Sequence, residues 1–335
     1  MIKNKIRLLS KLAAKEQILG TQGAQDSSVH EDLSTEATMQ APLEVEFGKK
    51  SIKDLVFMSK TIGDNPAYVQ GGGGNISVKL DQTKMAIKAS GYILKNVTEE
   101  DGYCIVDYPR VRDYLSHPDN DETIFSMKIK SFAENSGKRP SMETGFHVLL
   151  GKFVLHTHSV FANLINCSKE GKDICYQLFP KALWIDYATP GRLLTIKIRE
   201  ALQSAISYPN VIFLQNHGVI VSGESSTEVL NIHEELNNII QHYFRLNNSS
   251  YISHTQIANI EYIRNNILFP DQAVYTLAGE EILNSLAAKE TISAYSFIHK
   301  TIGDKGLNHN FLSRDLVDTL LQMDSEKYRQ NVLKK

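Results

Sequence analysis

Residues 153–165, FVLHTHSVFANLI, contain a run that is typical of a buried β-strand but carries His156 and His158 in its middle. Successive side chains of a strand point to opposite faces, so we expect the two imidazoles on one face. Leu155 and Thr157 then point to the other face. Two imidazoles on one face of a buried strand need an explanation, because a polar group buried without a partner costs free energy.

The segments around this stretch alternate between strand and helix patterns. Strand patterns occur in YVQGGGGNISVKL, MAIKASG, YCIVDY and VIFLQNHGVIVSG. Apolar residues at helical spacing occur in SIKDLVFMSKTIGDN, DETIFSMKIKSFAENS, SMETGFHVLLGK and TEVLNIHEELNNIIQHYFRL. The alternation predicts an α/β fold without an internal repeat.

Composition changes twice along the chain and predicts three parts. Residues 1–45 are poor in aromatic side chains, which favours a mobile N-terminal tail. Residues 46–250 contain the strand patterns and form the predicted domain. Residues 251–335 are predicted to be an appended helical extension that ends in one charged helix, SRDLVDTLLQMDSEKYRQNVLKK.

Charge and cysteine content exclude several classes of function. The chain has 335 residues, 42% of them hydrophobic, and a net charge of −2, so no basic field attracts nucleic acid or an acidic membrane surface. Three cysteines without CxxC spacing argue against a disulfide framework or a zinc ribbon. No apolar run reaches the ~20 residues of a membrane-spanning helix. We therefore expect a cytoplasmic protein without nucleic-acid or membrane partners.

The histidines favour a metal site. An H-x-H pair supplies two ligands from one strand, and His217 in QNHG offers a third from another strand end. Glu143, early in SMETGFH, is a candidate metal ligand or general base, or it only complements a helix N-terminus. A hydrogen-bonded core pair is the alternative for the H-x-H motif, and His147 is expected to be structural.

The glycine run QGGGGNIS fits neither a Walker loop nor a GxGxxG fingerprint. Four glycines nevertheless allow the backbone to approach a ligand closely. Ser90 with Gly91, and Ser141, are further small groups that can bind an anion. A tight loop without a ligand is the alternative interpretation.

QGGGGNISVK, KASGYILKNVTEED, RPSMETGFH, VLHTHS and LQNHGVIVSG occur in the order of the class II aldolase/adducin family, which the chain resembles over about residues 50–245. The resemblance implies a three-layer α/β/α sandwich with a central mixed β-sheet, a Zn²⁺ or other divalent cation, and a homotetramer. Lys88 of KASG, FPDQAVY and SEKYRQ look most similar to the longer branch, the aldolase part of rhamnulose-phosphate aldolase/dehydrogenase proteins. No Rossmann fingerprint follows, so reductase activity is not expected.

The resemblance also implies roles for individual residues. His156, His158 and His217 match the metal ligands, and Glu143 matches the catalytic glutamate. The phosphate subsite of phosphorylated-substrate members matches Gly74 with Asn75, Ser90 with Gly91, and Ser141. Met142 departs from the pattern, since a second serine is usual there, so one hydroxyl contact to phosphate is missing.

This resemblance implies an aldolase that cleaves or forms a C–C bond in a ketose sugar, phosphorylated as in the family pattern, through a zinc-stabilised enediolate. Glu143 would transfer the proton next to the carbonyl carbon. A dehydratase or epimerase on the same scaffold, and a non-catalytic adducin-like binding protein, are the alternatives. A tyrosine commonly assists such aldolases, but no motif selects among Tyr187, Tyr262 and Tyr275.

Overall fold

The computed structural model describes residues 36–134, 137–246, 251 and 259–333. Most of the predicted tail, residues 1–45, lies outside the described residues. Helix α1, Glu36–Gly63, begins ahead of the predicted domain start near residue 46. Residues 36–44 consist mainly of Glu, Ala, Met, Gln and Leu, which favour a helix. A shortage of aromatic residues limits burial without opposing a helix, so the helix starts earlier than composition indicated.

Seven strands form one mixed sheet in the part of the chain that the structure describes. The strands are β1 (Asn75–Lys79), β2 (Lys84–Lys88), β3 (Tyr103–Asp107), β4 (Phe153–Thr157), β5 (Leu183–Ile185), β6 (Val211–Leu214) and β7 (Gly218–Gly223). Their order across the sheet is β3-β2-β1-β4-β7-β6-β5. Only β5 and β6 pair in parallel, and the other neighbours are antiparallel.

Helices connect the strands and continue beyond the sheet. They are α2 (Tyr108–Tyr114), α3 (Glu122–Ser131), α4 (Thr144–Leu149), α5 (Val160–Asn166), α6 (Gly171–Leu178), α7 (Arg192–Ser204), α8 (Ser226–Tyr243), α9 (Ile260–Asn265), α10 (Pro270–Thr276), α11 (Glu280–Leu283), α12 (Leu286–Asp304), α13 (Arg314–Gln322) and α14 (Asp324–Leu333). A short 3₁₀ turn covers Leu94–Asn96. None of the helices in the described ranges is both long and apolar enough to cross a bilayer.

Helices cover both faces of the sheet, which confirms the predicted α/β/α sandwich. On one face, Leu155 of β4 packs with apolar residues of α1, α5, α6, α8 and α12. On the other face, Val154 packs with α4 and α7, while α2 and α3 cover β2 and β3. The change of face between neighbouring residues follows the two-residue period of a strand. Apolar burial on both sides therefore fixes the strand register, since a one-residue slip would exchange the faces.

That register places His156 at the centre of the sheet. Asn75 of β1 lies opposite His156 on one side, and Ile220 of β7 lies opposite it on the other. Directly paired residues point to the same face, so the Asn75 and His156 side chains leave the sheet together. His158 follows one residue after the end of β4, so only His156 of the pair lies within the strand.

The C-terminal region, defined here as residues 259–333, is helical and packs against the sheet domain. Its predicted final helix is two helices, because Met323 between α13 and α14 has extended backbone angles (φ −63°, ψ 132°). Val317, Leu320 and Met323 are buried in a cluster that also contacts Met142 and Tyr187 of the sheet domain. The prediction of a single helix was wrong because a charged helical pattern does not encode a bend that packing imposes.

Candidate active site

The three histidines of the two motifs meet in one cluster. His156 comes from β4, His158 from the residue after it, and His217 from the turn between β6 and β7. Nε2 of His156 and Nε2 of His158 are 3.2 Å apart, and the three ring centroids are 4.9–5.1 Å from one another. The exposed fractions of His156, His158 and His217 are 0%, 6% and 4%. The fold thus brings together the three residues that the sequence predicted as ligands.

Hydrogen bonds on the outer side of two rings define how these rings face the centre. Nδ1 of His156 lies 3.1 Å from the Val219 carbonyl, and Nδ1 of His158 lies 2.8 Å from a carboxylate oxygen of Asp271. Both partners only accept, so each Nδ1 carries the proton and each Nε2 presents a lone pair. Two lone pairs that face each other at 3.2 Å repel unless a cation lies between them.

These donors fit a divalent cation. With Zn–N bonds of about 2.0–2.1 Å, tetrahedral geometry separates two ligand nitrogens by about 3.3 Å. One potential ligand atom from each of the three histidines lies within 4.8 Å of the others. Burial, followed by the neighbouring His217 and His158 rings, holds the pKa of His156 well below its usual value. His156 is therefore neutral near pH 7, which is the form that binds metal.

Glu143 faces this cluster. Its two carboxylate oxygens lie 3.5 Å from Nε2 of His156 and 3.5 Å from Nε2 of His217. Glu143 directly precedes α4, yet its side chain makes no capping hydrogen bond. Helix α4 starts three residues later than the predicted SMETGFH helix, because Ser141 Oγ accepts a hydrogen bond from the Glu143 amide in a turn. Glu143 therefore contributes no capping hydrogen bond to α4, and its carboxylate is directed to the histidines.

A chain of buried hydrogen bonds holds Glu143 from β1. Asn75 Nδ2 donates to a Glu143 carboxylate oxygen over 2.7 Å. The Asn75 side-chain oxygen accepts from His147 Nε2, and Ser77 Oγ donates to His147 Nδ1 over 2.8 Å. Burial lowers the pKa of His147 from 6.5 to about 3, so the ring is neutral and can donate and accept at once. His147 has the structural role that the sequence indicated.

A cleft of about 50 Å³ opens beside the histidines. Gly74, Asn75, Ser90, Gly91 and Ser141, the residues that match the family's phosphate subsite, all line it together with Glu143, His158 and His217. Gly74 (φ +67°) and Gly91 (φ +82°) adopt left-handed backbone angles that favour glycine. Within the protein, Asn75 also donates from its amide nitrogen Nδ2 to Glu143 and Ser141.

Several cleft residues were not among the predicted site residues. Lys88, buried at the end of β2, lines the cleft and donates to the Gly72 carbonyl over 3.2 Å. The C-terminal region supplies a further part of the wall, formed by Pro270, Asp271, Ser325 and Glu326. The motifs FPDQAVY and SEKYRQ contain all four residues, so resemblance to the longer branch was the available signal. Local pattern alone could not reveal that they reach the cleft.

The three candidate tyrosines have different environments, and none lines the cleft. Tyr275 is fully buried and its hydroxyl accepts from the Gly72 amide over 3.2 Å. Burial, together with nearby Glu326, raises the pKa of Tyr187. Tyr262 is exposed and its hydroxyl is 3.0 Å from His299. The described residues therefore select no tyrosine as an acid.

Similar proteins were found by sequence and by structure. A protein of Haemophilus influenzae named 3-oxo-tetronate 4-phosphate decarboxylase is 24% identical over 58% of this chain and 88% of its own length. An L-fuculose phosphate aldolase of Methanococcus vannielii is 26% identical over 52% of this chain and 90% of its own length. An uncharacterized oxidoreductase of Bacillus subtilis is 26% identical over 53% of this chain, and the match spans only 27% of that protein.

Comparison with solved structures identifies a class II aldolase domain with a similar fold. The N-terminal class II aldolase domain of a conserved protein from Thermoplasma acidophilum superposes with a TM-score of 0.53 at 21% identity, over 67% of this chain and 100% of that domain. The sequence profile described as "Class II Aldolase and Adducin N-terminal domain" matches residues 53–244, more than half of the chain. This protein therefore belongs to the class II aldolase and adducin N-terminal domain family.

Proposed function

We propose that this protein is a metal-dependent lyase of the aldolase type that cleaves or forms a carbon–carbon bond in a ketose. One observation carries the proposal: the Glu143 carboxylate lies 3.5 Å from Nε2 of both His156 and His217, where a reacting carbon beside a carbonyl group would be held. An adducin-like binding protein does not need a buried carboxylate aimed at three converging histidines. The geometry thus favours an enzyme over a binding protein.

His156, His158 and His217 would hold the divalent cation. Such a cation supplies Lewis-acid polarisation of a carbonyl oxygen. Zn²⁺ is the first candidate, because a site of three imidazoles with room for one more ligand is typical of catalytic zinc.

Glu143 would move the proton at the carbon next to the carbonyl group. The carboxylate is 5% exposed, and Asn75 fixes one of its oxygens, so little reorganisation is needed when the proton moves. Burial of the surrounding residues limits the access of water to the reacting carbon. The chain from Ser77 through His147 to Asn75 keeps the carboxylate in one orientation.

The other end of the cleft suits an anionic group such as a phosphate. Lys88 supplies a positive charge, Ser90 and Ser141 supply hydroxyl groups, and Gly91 has no side chain to cover its backbone. Met142 lines the same wall and offers no hydroxyl group. We therefore place a sugar phosphate first among substrates, with fewer hydroxyl contacts than the family pattern provides.

Decarboxylation of a 3-oxo sugar acid is the second candidate reaction. The similarity to the protein named 3-oxo-tetronate 4-phosphate decarboxylase favours it, over 58% of this chain. Both reactions break a bond one carbon away from a carbonyl group and need the same polarisation. The dehydratase and epimerase alternatives would use the same scaffold and metal ligands, and the products formed would distinguish all four reactions.

Glu143→Gln tests the proposed function. The purified chain, loaded with Zn²⁺, would be incubated with ketose phosphates and with phosphorylated 3-oxo acids, and released aldehyde, dihydroxyacetone phosphate and CO₂ would be measured. Glu143→Gln should lower turnover by about 10²–10⁴-fold, the usual contribution of a general acid–base group, while zinc content stays unchanged. Glu235→Gln, an exposed change on α8, is the matched control. Wild-type turnover in Glu143→Gln would refute the mechanism.

The homotetramer stays a prediction. Light scattering of the full chain in solution would give its molecular mass and decide the question.

A further inference from the structure

Asp271 connects the C-terminal region to the histidine cluster. Its carboxylate oxygen Oδ2 lies 2.8 Å from Nδ1 of His158, and the exposed fractions of the two residues are 3% and 6%. Asp271 is the second residue of α10, outside the 53–244 match to the family profile. This contact therefore does not come from the region whose motifs identify the family.

The contact decides which nitrogen of His158 points to the centre. A carboxylate only accepts hydrogen bonds, so Nδ1 of His158 must carry the proton and Nε2 must present its lone pair. Nε2 lies 3.2 Å from Nε2 of His156. A carboxylate behind a ligating imidazole fixes the ring's tautomer and orientation and raises the basicity of the opposite nitrogen.

The glycine run is shaped to admit this pair. A Cβ atom on Gly73 would lie 2.7 Å from Asp271 Oδ2 and 2.7 Å from His158 Nδ1, which is closer than non-bonded atoms approach. A Cβ atom on Gly71 would lie 2.6 Å from Ala287 Cβ of α12. At Gly72 the nearest atom is the Tyr275 hydroxyl at 3.5 Å, an ordinary contact. At Gly71 and Gly73, atoms of the C-terminal region, together with His158 beside Gly73, occupy the space that a side chain would need.

Further hydrogen bonds link the C-terminal region to the glycine run and to the turn that carries His217. Glu290 of α12 accepts from the Gly71 amide over 2.8 Å. Asn216, the residue before His217, has a positive φ of 54° and donates from Nδ2 to the Leu268 carbonyl over 2.8 Å. Asn310 Nδ2 in turn donates to the Asn216 side-chain oxygen over 2.8 Å. The C-terminal region thus supports two of the three histidines, His158 directly and His217 through its neighbour.

We propose that Asp271 is a positioning residue for His158 in the metal centre, and that Gly73 lacks a side chain to let this contact form. The inference rests on the proposed function, because it assumes that the three histidines bind a divalent cation. It makes the C-terminal region part of the catalytic site and assigns part of the glycine run to packing, separate from any contact with phosphate.

Zinc affinity of the metal-stripped full chain tests the proposal. It would be measured by competition with a chromophoric chelator for wild type, Asp271→Asn, Gly73→Ala and two controls. We expect Asp271→Asn to weaken Zn²⁺ binding by about 10–100-fold, since an amide is a weaker acceptor and can turn its NH₂ group toward the ring. Gly73→Ala should weaken binding too, because it separates the pair without changing any charge.

Two control variants separate the effect of the contact between Asp271 and His158 from the general effects of adding a methyl group or removing a charge. Gly72→Ala adds the same methyl group one residue away, where it meets only an ordinary contact, and should keep wild-type affinity. Asp315→Asn removes a negative charge from an exposed site on α13 of the same region and should have no effect. The absorption spectrum of bound Co²⁺ should change in Asp271→Asn and Gly73→Ala, because it reports the arrangement of the ligands, and should stay unchanged in both controls.

The outcomes separate this inference from the proposed function. If wild type bound neither Zn²⁺ nor Co²⁺, the metal centre itself would be refuted. If wild type bound Zn²⁺ and Asp271→Asn bound it equally well with the same Co²⁺ spectrum, only the role of Asp271 would be refuted. Circular dichroism of each variant would show that it is folded. Gly73→Ala provides an independent answer if Asp271→Asn fails to fold.

Discussion

The family-matched region, residues 53–244, and the C-terminal region, residues 259–333, build one cleft in different ways. The matched region provides groups that can do chemistry: three histidines, Glu143 and Lys88. The C-terminal region provides part of the wall and a buried carboxylate behind one of the histidines. Reactive groups can therefore be recognised from short motifs, while the residues that hold them come from any part of the chain that packs nearby.

Each region contains one residue that orients a functional group without being predicted to react. In the matched region, Asn75 holds Glu143 over 2.7 Å. In the C-terminal region, Asp271 holds His158 over 2.8 Å. The two contacts act on different groups, the proposed base and a proposed ligand, so their loss should have separable effects on turnover and on metal binding.

The largest expected effect is the loss of bound zinc in His156→Ala. It tests whether the metal ligands all come from the family-matched region. His156→Ala should reduce zinc from about one ion per chain to nearly none, because two remaining imidazoles cannot form a catalytic-type site. Elemental analysis of the protein purified without chelators would measure it. His242→Ala, an exposed change on α8, should keep its zinc. Retention of zinc by His156→Ala would place the ligands elsewhere.

A smaller expected effect, a decrease in kcat, distinguishes the role of Asn75 from that of Asp271. Asn75→Ala should lower kcat by about 10–100-fold, as loss of a supporting hydrogen bond usually does, and leave zinc affinity unchanged. Steady-state kinetics with the chelator competition would measure both quantities. Asn238→Ala, an exposed change on α8, serves as the control. If Asn75→Ala released zinc as Asp271→Asn is expected to, the proposed division of roles between the two regions would be wrong.

The smallest effect concerns stability within the matched region. Glu122 accepts hydrogen bonds from the Arg192 amide at the start of α7, and burial raises the pKa of Glu122 from 4.5 to about 7. The folded protein therefore keeps this proton up to about pH 7, whereas the unfolded chain loses it above about pH 4.5. It follows that the folded state loses stability as pH rises between these values, and does not regain it above pH 7.

Glu122→Gln should remove this dependence and make the protein more stable above pH 7. The gain should be about 1 kcal/mol, since partial exposure of the carboxylate reduces the full effect of its shift. Urea unfolding at pH 5 and pH 8 would measure it, with the exposed change Glu200→Gln on α7 as control. An equal change with pH in Glu122→Gln and wild type would exclude Glu122 as the source. The C-terminal region should not influence the result, because neither Glu122 partner lies in it.

The fold was predictable because its signals are local. Alternation of strand and helix patterns indicated an α/β protein, and the apolar run around His156 indicated a buried strand. One prediction failed for a physical reason. The last predicted helix bends at Met323, so element ends depend on packing and capping that periodicity does not contain.

For the site, the sequence by itself determined the candidate residues: the H-x-H pair, NHG and the glutamate after Pro-Ser are short, ordered motifs whose side chains suit metal binding and proton transfer. Only the tertiary structure decided which atoms meet. The Asn75 amide group binds Glu143, and Gly73 makes room for the contact between Asp271 and His158. Asp271 and His158 are 113 residues apart in the chain, and no local pattern specifies a contact that forms only when distant segments are packed together.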